Sequence, residues 1–134
     1  MQKSKSGFTI IELIVVIAII AILAAIVMVN VTQYINKSKD ASVKVTMNEY
    51  VKKIIITIAD TGEAPEIDYS DPIIASLGYP SGSSGPHIGK NGNSVCLDNS
   101  LYEKIDSDYI QWCVDTASFN GVGSCGDGST GLCQ

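Results

Sequence analysis

Four cysteines, a single histidine and a glutamate set in an apolar run are the residues of this 134-residue chain whose type and placement suggest chemistry. Cys96, Cys113, Cys125 and Cys133 all fall in the last third. An even count in a small region means either thiolate metal ligands or two disulfides. A structural zinc site brings at least one close ligand pair, whereas the gaps between successive cysteines here are 16, 11 and 7 residues. Disulfides are the default if the region is exported. Four cysteines allow three connectivities. Loop length points to Cys125–Cys133, with Cys96–Cys113 tying two strands together. His87 sits in a Gly/Ser-rich stretch, Tyr79 to Asn93, and reads as a solvated loop residue rather than a base. The serines and threonines have no base paired with them in sequence. Asp98, Asp106, Asp108, Asp115 and Asp127 are scattered acids without the repeated spacing of a calcium loop. The expectation is therefore no catalytic set, no metal and no cofactor.

Glu12 is different, because of what surrounds it. Leu13 to Val29 is an unbroken apolar run, and Phe8 to Val29 holds Glu12 as its one charge. A helix over those residues would be about 33 Å long, against a hydrocarbon core of about 30 Å. An ionisable group in such a segment is costly and marks function by default. Near the membrane edge it can reach water. In a packed apolar bundle it needs a partner.

The elements that must position these groups follow from pattern. Asn30 to Ala59 contains no Pro or Gly. Val43, Met47, Val51, Ile54, Ile55 and Ile58 recur at spacings of three and four, one stripe of a helix. Val31 and Ile35 continue the rhythm upstream. The apolar run and the stripe thus read as one long helix. That continuity argues against an ordinary secretory signal cut behind its apolar stretch. Thr61-Gly62, with Pro65 beyond, ends the helix. Asp71 to Leu77 reads as a short helix or turn, with Pro72 at a first-turn position. Ser94–Leu97 and Tyr109–Thr116 read as strands, and Asn120 to Gln134 as a stapled Gly-rich tail. The expected class is α+β: a long helix, apolar in its first half and amphipathic in its second, packed on a small antiparallel sheet.

At the N-terminus, Lys3 and Lys5, then Gly7-Phe8-Thr9-Ile10-Ile11-Glu12-Leu13, then the apolar run, closely resemble the processing site of type IV prepilins and type II secretion pseudopilins. The resemblance is detailed over about residues 1–30. It implies that a prepilin peptidase cuts between Gly7 and Phe8 and that the Phe8 amine is N-methylated. It implies three segments: a leader over 1–7, a transmembrane and filament-core helix over 8–29, and a pilin-like head over 30–134. It also implies that Glu12 pairs with the Phe8 amine of a neighbouring subunit. The chain departs from many pilins in having no Gly or Pro inside the apolar run.

Physical sense accompanies each residue. Gly7 lets the backbone lie open in a protease cleft, and the leader lysines hold the N-terminus on the cytoplasmic side. The function implied is a structural subunit of a type IV pilus or related filament, a helical homo-oligomer. It would be held in the bacterial inner membrane before assembly and be extracellular or periplasmic after it. Its partners would be the peptidase and the assembly machinery. A secretion pseudopilin is the alternative from the same machinery. A monomeric single-pass protein with a ligand-binding head is the alternative of another class, and it would have no use for Glu12.

Charge fits that picture. Residues 1–59 hold seven lysines against three acids, and residues 60–134 two lysines against eleven acids. There is no arginine, and the net charge is −5. The acidic C-terminal part is a poor partner for a phosphate backbone. The five lysines between Lys37 and Lys53 are expected to face acidic heads in a filament.

Overall fold

The structure, a computed structural model, describes residues 7–126 and 131–134. Met1 to Ser6, with the leader lysines, and Asp127 to Thr130 lie outside the described residues. The elements run α1 (Ile10–Thr61), α2 (Pro72–Ala75), β1 (His87–Asn91), β2 (Ser94–Ile105), β3 (Asp108–Asp115) and β4 (Asn120–Val122). The chain divides into two units, residues 1–35 and 36–134.

The first unit contains the N-terminal part of α1. Its described apolar side chains, from Ile10 to Ile35, are exposed, and α1 is long and apolar enough to cross a membrane. The second unit is an α+β head. Its four strands form one antiparallel sheet in the order β1-β2-β3-β4. Successive strand residues face opposite sides. Ile88, Val95, Leu97, Leu101 and Val114 bury one face against Val43, Met47, Tyr50, Val51 and Ile54 of α1. Ile55, counted in the stripe from its spacing, points outward and is 42% exposed; Tyr50 takes up core space instead.

The helix ends as its sequence dictates. Gly62 has φ +84° and its N–H bonds the Ile58 carbonyl at 2.8 Å, a left-handed stop that glycine makes without steric cost. The Asn93 side chain then binds this terminus, accepting from Ala64 N and donating to the Gly62 carbonyl. Asp71 caps α2 by accepting from the Ile73 N–H, with Pro72 in the first turn.

Three readings of the sheet are corrected. Tyr79 to Asn93 is not all loop: residues 87–91 form β1, which pairs with β2 across Gly92-Asn93. Only Gly92 of those two has positive φ, as a type II′ hairpin requires. Strand β2 does not stop at Leu97 but runs to Ile105. Its polar centre, Asp98-Asn99-Ser100, is buried because partners from elsewhere meet it: Asn99 donates to the Gly78 carbonyl, and Asp98 accepts from Cys125 N–H. Strand β3 covers Asp108–Asp115 rather than Tyr109–Thr116, and the tail contributes β4.

The disulfides are Cys96–Cys125 and Cys113–Cys133, not Cys125–Cys133 and Cys96–Cys113. Register explains the first half of this correction. Cys96 stands opposite Asp115, and Cys113 opposite Asp98, so the two strand cysteines are diagonal neighbours rather than a facing pair. Each is met instead by a cysteine of the C-terminal segment lying over that sheet face.

Candidate functional site

Two groups of residues concentrate chemistry, one in each unit. In the first, Gly7, Phe8 and Thr9 precede the helix. A Cβ at Gly7 would meet nothing within 4 Å, and Phe8 is 81% exposed. Among the described residues, nothing crowds Gly7 or Phe8.

Thr9 and Glu12 form a reciprocal cap. Glu12 Oε2 accepts from Thr9 N–H at 2.8 Å and from the Thr9 hydroxyl at 2.7 Å, while Glu12 N–H donates to Thr9 Oγ1 at 3.3 Å. This is the capping box, which satisfies backbone donors that a helix start leaves over. Thr-x-x-Glu ahead of an apolar run is the sequence form of this motif, and it gives Glu12 a use even in a lone subunit, contrary to the expectation that a monomer has none. Both hydrogen bonds that Glu12 accepts from Thr9 use Oε2.

In the second group, each cysteine is held by more than its disulfide. Cys96-Leu97-Asp98 on β2 and Cys113-Val114-Asp115 on β3 are the same Cys-x-Asp pattern, paired head to tail. Asp98 and Asp115 are both buried. Asp98 Oδ2 accepts from Cys125 N–H at 2.8 Å and Asp115 Oδ2 from Cys133 N–H at 3.1 Å. The other oxygen of Asp115 accepts from Ala117 and Phe119 N–H groups, closing the turn after β3. His87 lies on β1 rather than in a loop, with Nδ1 3.7 Å from Asp98 Oδ1. The Cys96, Cys113 and Cys125 sulfurs lie within 4.8 Å of one another, but all four cysteines are in disulfides, so none offers a thiolate to a metal.

The lysines of the head serve it internally more than was expected. Lys39 lies over the Tyr102 ring at 4.6 Å and Lys44 over the Trp112 ring at 4.0 Å, and Lys53 pairs with Asp71.

Residues 2–28 match the family model of the prokaryotic N-terminal methylation motif. Comparison with curated proteins and with solved structures gives no match. The matched span holds Gly7, Phe8, the capping box and most of the uncovered apolar helix. The chain thus carries the prepilin-type signal of type IV pilins and pseudopilins, which makes it pilin-like or pseudopilin-like at its N-terminus.

Proposed function

We propose that the protein is a structural subunit of a type IV pilus or related extracellular filament. In this reading a prepilin peptidase removes residues 1–7 and methylates the Phe8 amine. Residues 8–29 then hold the subunit in the bacterial inner membrane until they pack with copies of themselves. One observation supports this most: the described apolar side chains from Ile10 to Met28 are exposed, although a helix this apolar needs lipid or other helices around it. The methylation motif lies over that same stretch. Glu12 keeps one oxygen for its own cap and has the other left for a neighbour's Phe8 amine. Residues 30–134 remain outside the membrane as the head.

Intact mass spectrometry of the native protein tests the first step. The expected mature chain begins at a methylated Phe8. A mature start at Met1, or one beyond Val29, sinks the reading. Shearing cells then tests the second: filaments of this subunit are expected in the sheared fraction. Filaments confined to the periplasm would favour the pseudopilin role.

A further inference from the structure

We propose that Asp98 and Asp115 are positioning residues that select the disulfide pairing of the head. The selection problem is visible in the geometry. Ser124 and Gln134 exchange two backbone hydrogen bonds, 3.1 and 2.9 Å, so the adjacent Cys125 and Cys133 are brought near each other as the loop closes. The Cys113 sulfur is 3.9 Å from that of Cys125, although the two are not bonded. Cys96 and Cys113 are diagonal neighbours on paired strands. Cys125 therefore has Cys96, Cys113 and, across the closing loop, Cys133 as competing partners. Burial in an apolar core does not discriminate among them, since Cys96, Cys113 and Cys125 are all fully buried.

The carboxylates discriminate against Cys125–Cys133: Asp98, opposite Cys113, and Asp115, opposite Cys96, hold the two C-terminal cysteines at separate points of the sheet face. Each binds the backbone N–H of one C-terminal cysteine, and each sits on the strand that carries that cysteine's partner. Asp98 holds Cys125, which bonds Cys96 two residues away on β2; Asp115 holds Cys133, which bonds Cys113 two residues away on β3. A hydrogen bond from a backbone N–H to a carboxylate oxygen is among the stronger ones. It fixes the Cys125 or Cys133 backbone before the sulfur reacts. Each disulfide then forms by ordinary exchange with a disulfide oxidant. One thiolate attacks the oxidant and displaces a thiolate from it. The partner thiolate attacks the resulting mixed disulfide and expels the second. The two cysteines together give up two electrons and two protons, and the oxidant is reduced to two thiols.

The test uses the full chain in detergent micelles, reduced, denatured and refolded in a glutathione redox buffer. Free thiols are alkylated at intervals, and the disulfides are mapped without reduction after cleavage at aspartate and at aromatic residues. Asp98→Ala and Asp115→Ala should each raise the mispaired fraction at least tenfold, chiefly as Cys125–Cys133. Asp98→Asn keeps an acceptor oxygen and should pair as the wild type does. Leu97→Ala, a destabilised core variant with both aspartates intact, should also pair correctly. The proposal is overturned if both alanine variants stay within twofold of wild type. It is equally overturned if Leu97→Ala mispairs as much as they do, because the effect would then be general loss of stability. Mispairing of Asp98→Asn at the level of Asp98→Ala would also overturn it, since the acceptor oxygen would not be what matters.

Discussion

Glu12 has two oxygens, and among the described residues Oε2 alone is hydrogen-bonded. Oε2 belongs to the cap with Thr9, so a substitution at Glu12 removes a helix cap and, in the proposed filament, a counter-charge. The two roles separate by variant. Thr9→Ala weakens the cap, costing about 1 kcal/mol, and leaves the charge. Glu12→Gln leaves an acceptor and removes the charge. An unpaired amine in a dry bundle costs several kcal/mol. Glu12→Gln and Glu12→Ala should therefore lower sheared filament at least about tenfold without lowering membrane content, while Thr9→Ala should assemble close to normally. Processing at Gly7 must be confirmed for each variant first. Normal filament yield from processed Glu12→Ala would end the pairing argument. Asp40 carries the matching prediction in the head. It is buried on α1 and accepts from Tyr102 N–H at 2.6 Å and Glu103 N–H at 3.0 Å, where the β2–β3 register shifts between Ser100 and Lys104. Asp40→Ala strands two backbone donors and should cost about 2–4 kcal/mol in urea unfolding. Asp40→Asn keeps one acceptor and should cost less. The sequence did not single out Asp40, because its partners are over 60 residues away and are exposed for bonding only by a register shift. Glu12, by contrast, stood out from its neighbours alone.

Elements were legible where local chemistry decides them and obscure where pairing does. The end of α1 at Thr61, the Asp71-Pro72 start of α2 and most of the buried stripe were readable, because Gly, Pro, a capping side chain and a helical period each act within a few residues. Strand β1 was not, since Gly89 weakens its pattern and only pairing with Val95–Leu97 makes it a strand. The length of β2 was hidden by three polar residues whose burial depends on Gly78 and Cys125. The β2–β3 turn shows the same limit. Asp106 and Ser107 both have positive φ, 50° and 79°, which is the type I′ geometry that Asn-Gly fills most readily; Asp-Ser is a weaker signal. A left-handed L-residue costs about 1–2 kcal/mol, and glycine gives back roughly 0.5–1 kcal/mol in chain entropy. Ser107→Gly should therefore stabilise the head by about 0.5–1 kcal/mol, seen as a higher urea midpoint; a lower midpoint would contradict the turn assignment. At α2, the hydrogen bond from Lys53, then that from Ile73 N–H, holds the Asp71 carboxyl below its ordinary value of 3.8. A depressed folded-state value means that the contribution is whole above the unfolded-state value and fades as pH falls through the folded one. The stability difference between wild type and Asp71→Ala should be constant above about pH 5 and shrink progressively below the ordinary aspartate range. A difference that grows toward acid would refute this sign.

On the scale of the whole molecule, the long helix has two different environments. From Ile10 to Met28 its apolar side chains are exposed, whereas Val43, Met47, Tyr50, Val51 and Ile54 are buried under the sheet. Residues 36–134 form a compact unit, so a fragment beginning at Asn36 retains every buried residue of the core. It should be a soluble monomer that unfolds cooperatively. A fragment beginning at Gly62 removes the helix and leaves Val95, Leu97, Leu101 and Val114 facing water. Each such side chain is worth about 1.5–3 kcal/mol on burial, a large share of the about 5–15 kcal/mol that stabilises a domain. The two disulfides remain in the shorter fragment, and they restrict its unfolded chain. They do not cover its apolar face, because the cysteines belong to the opposite side of the sheet, in a separate buried cluster. Oxidised fragment 62–134 should therefore bind a hydrophobic dye and melt without a cooperative transition, while fragment 36–134 does neither. Met47→Ala in the longer fragment supplies the intermediate case. Met47 is fully buried at the helix–sheet contact, and its truncation should cost about 2–5 kcal/mol while leaving unfolding cooperative. If fragment 62–134 melts cooperatively with a midpoint near that of fragment 36–134, the sheet and its disulfides are self-sufficient. The helix would then serve only to attach the head to the apolar segment.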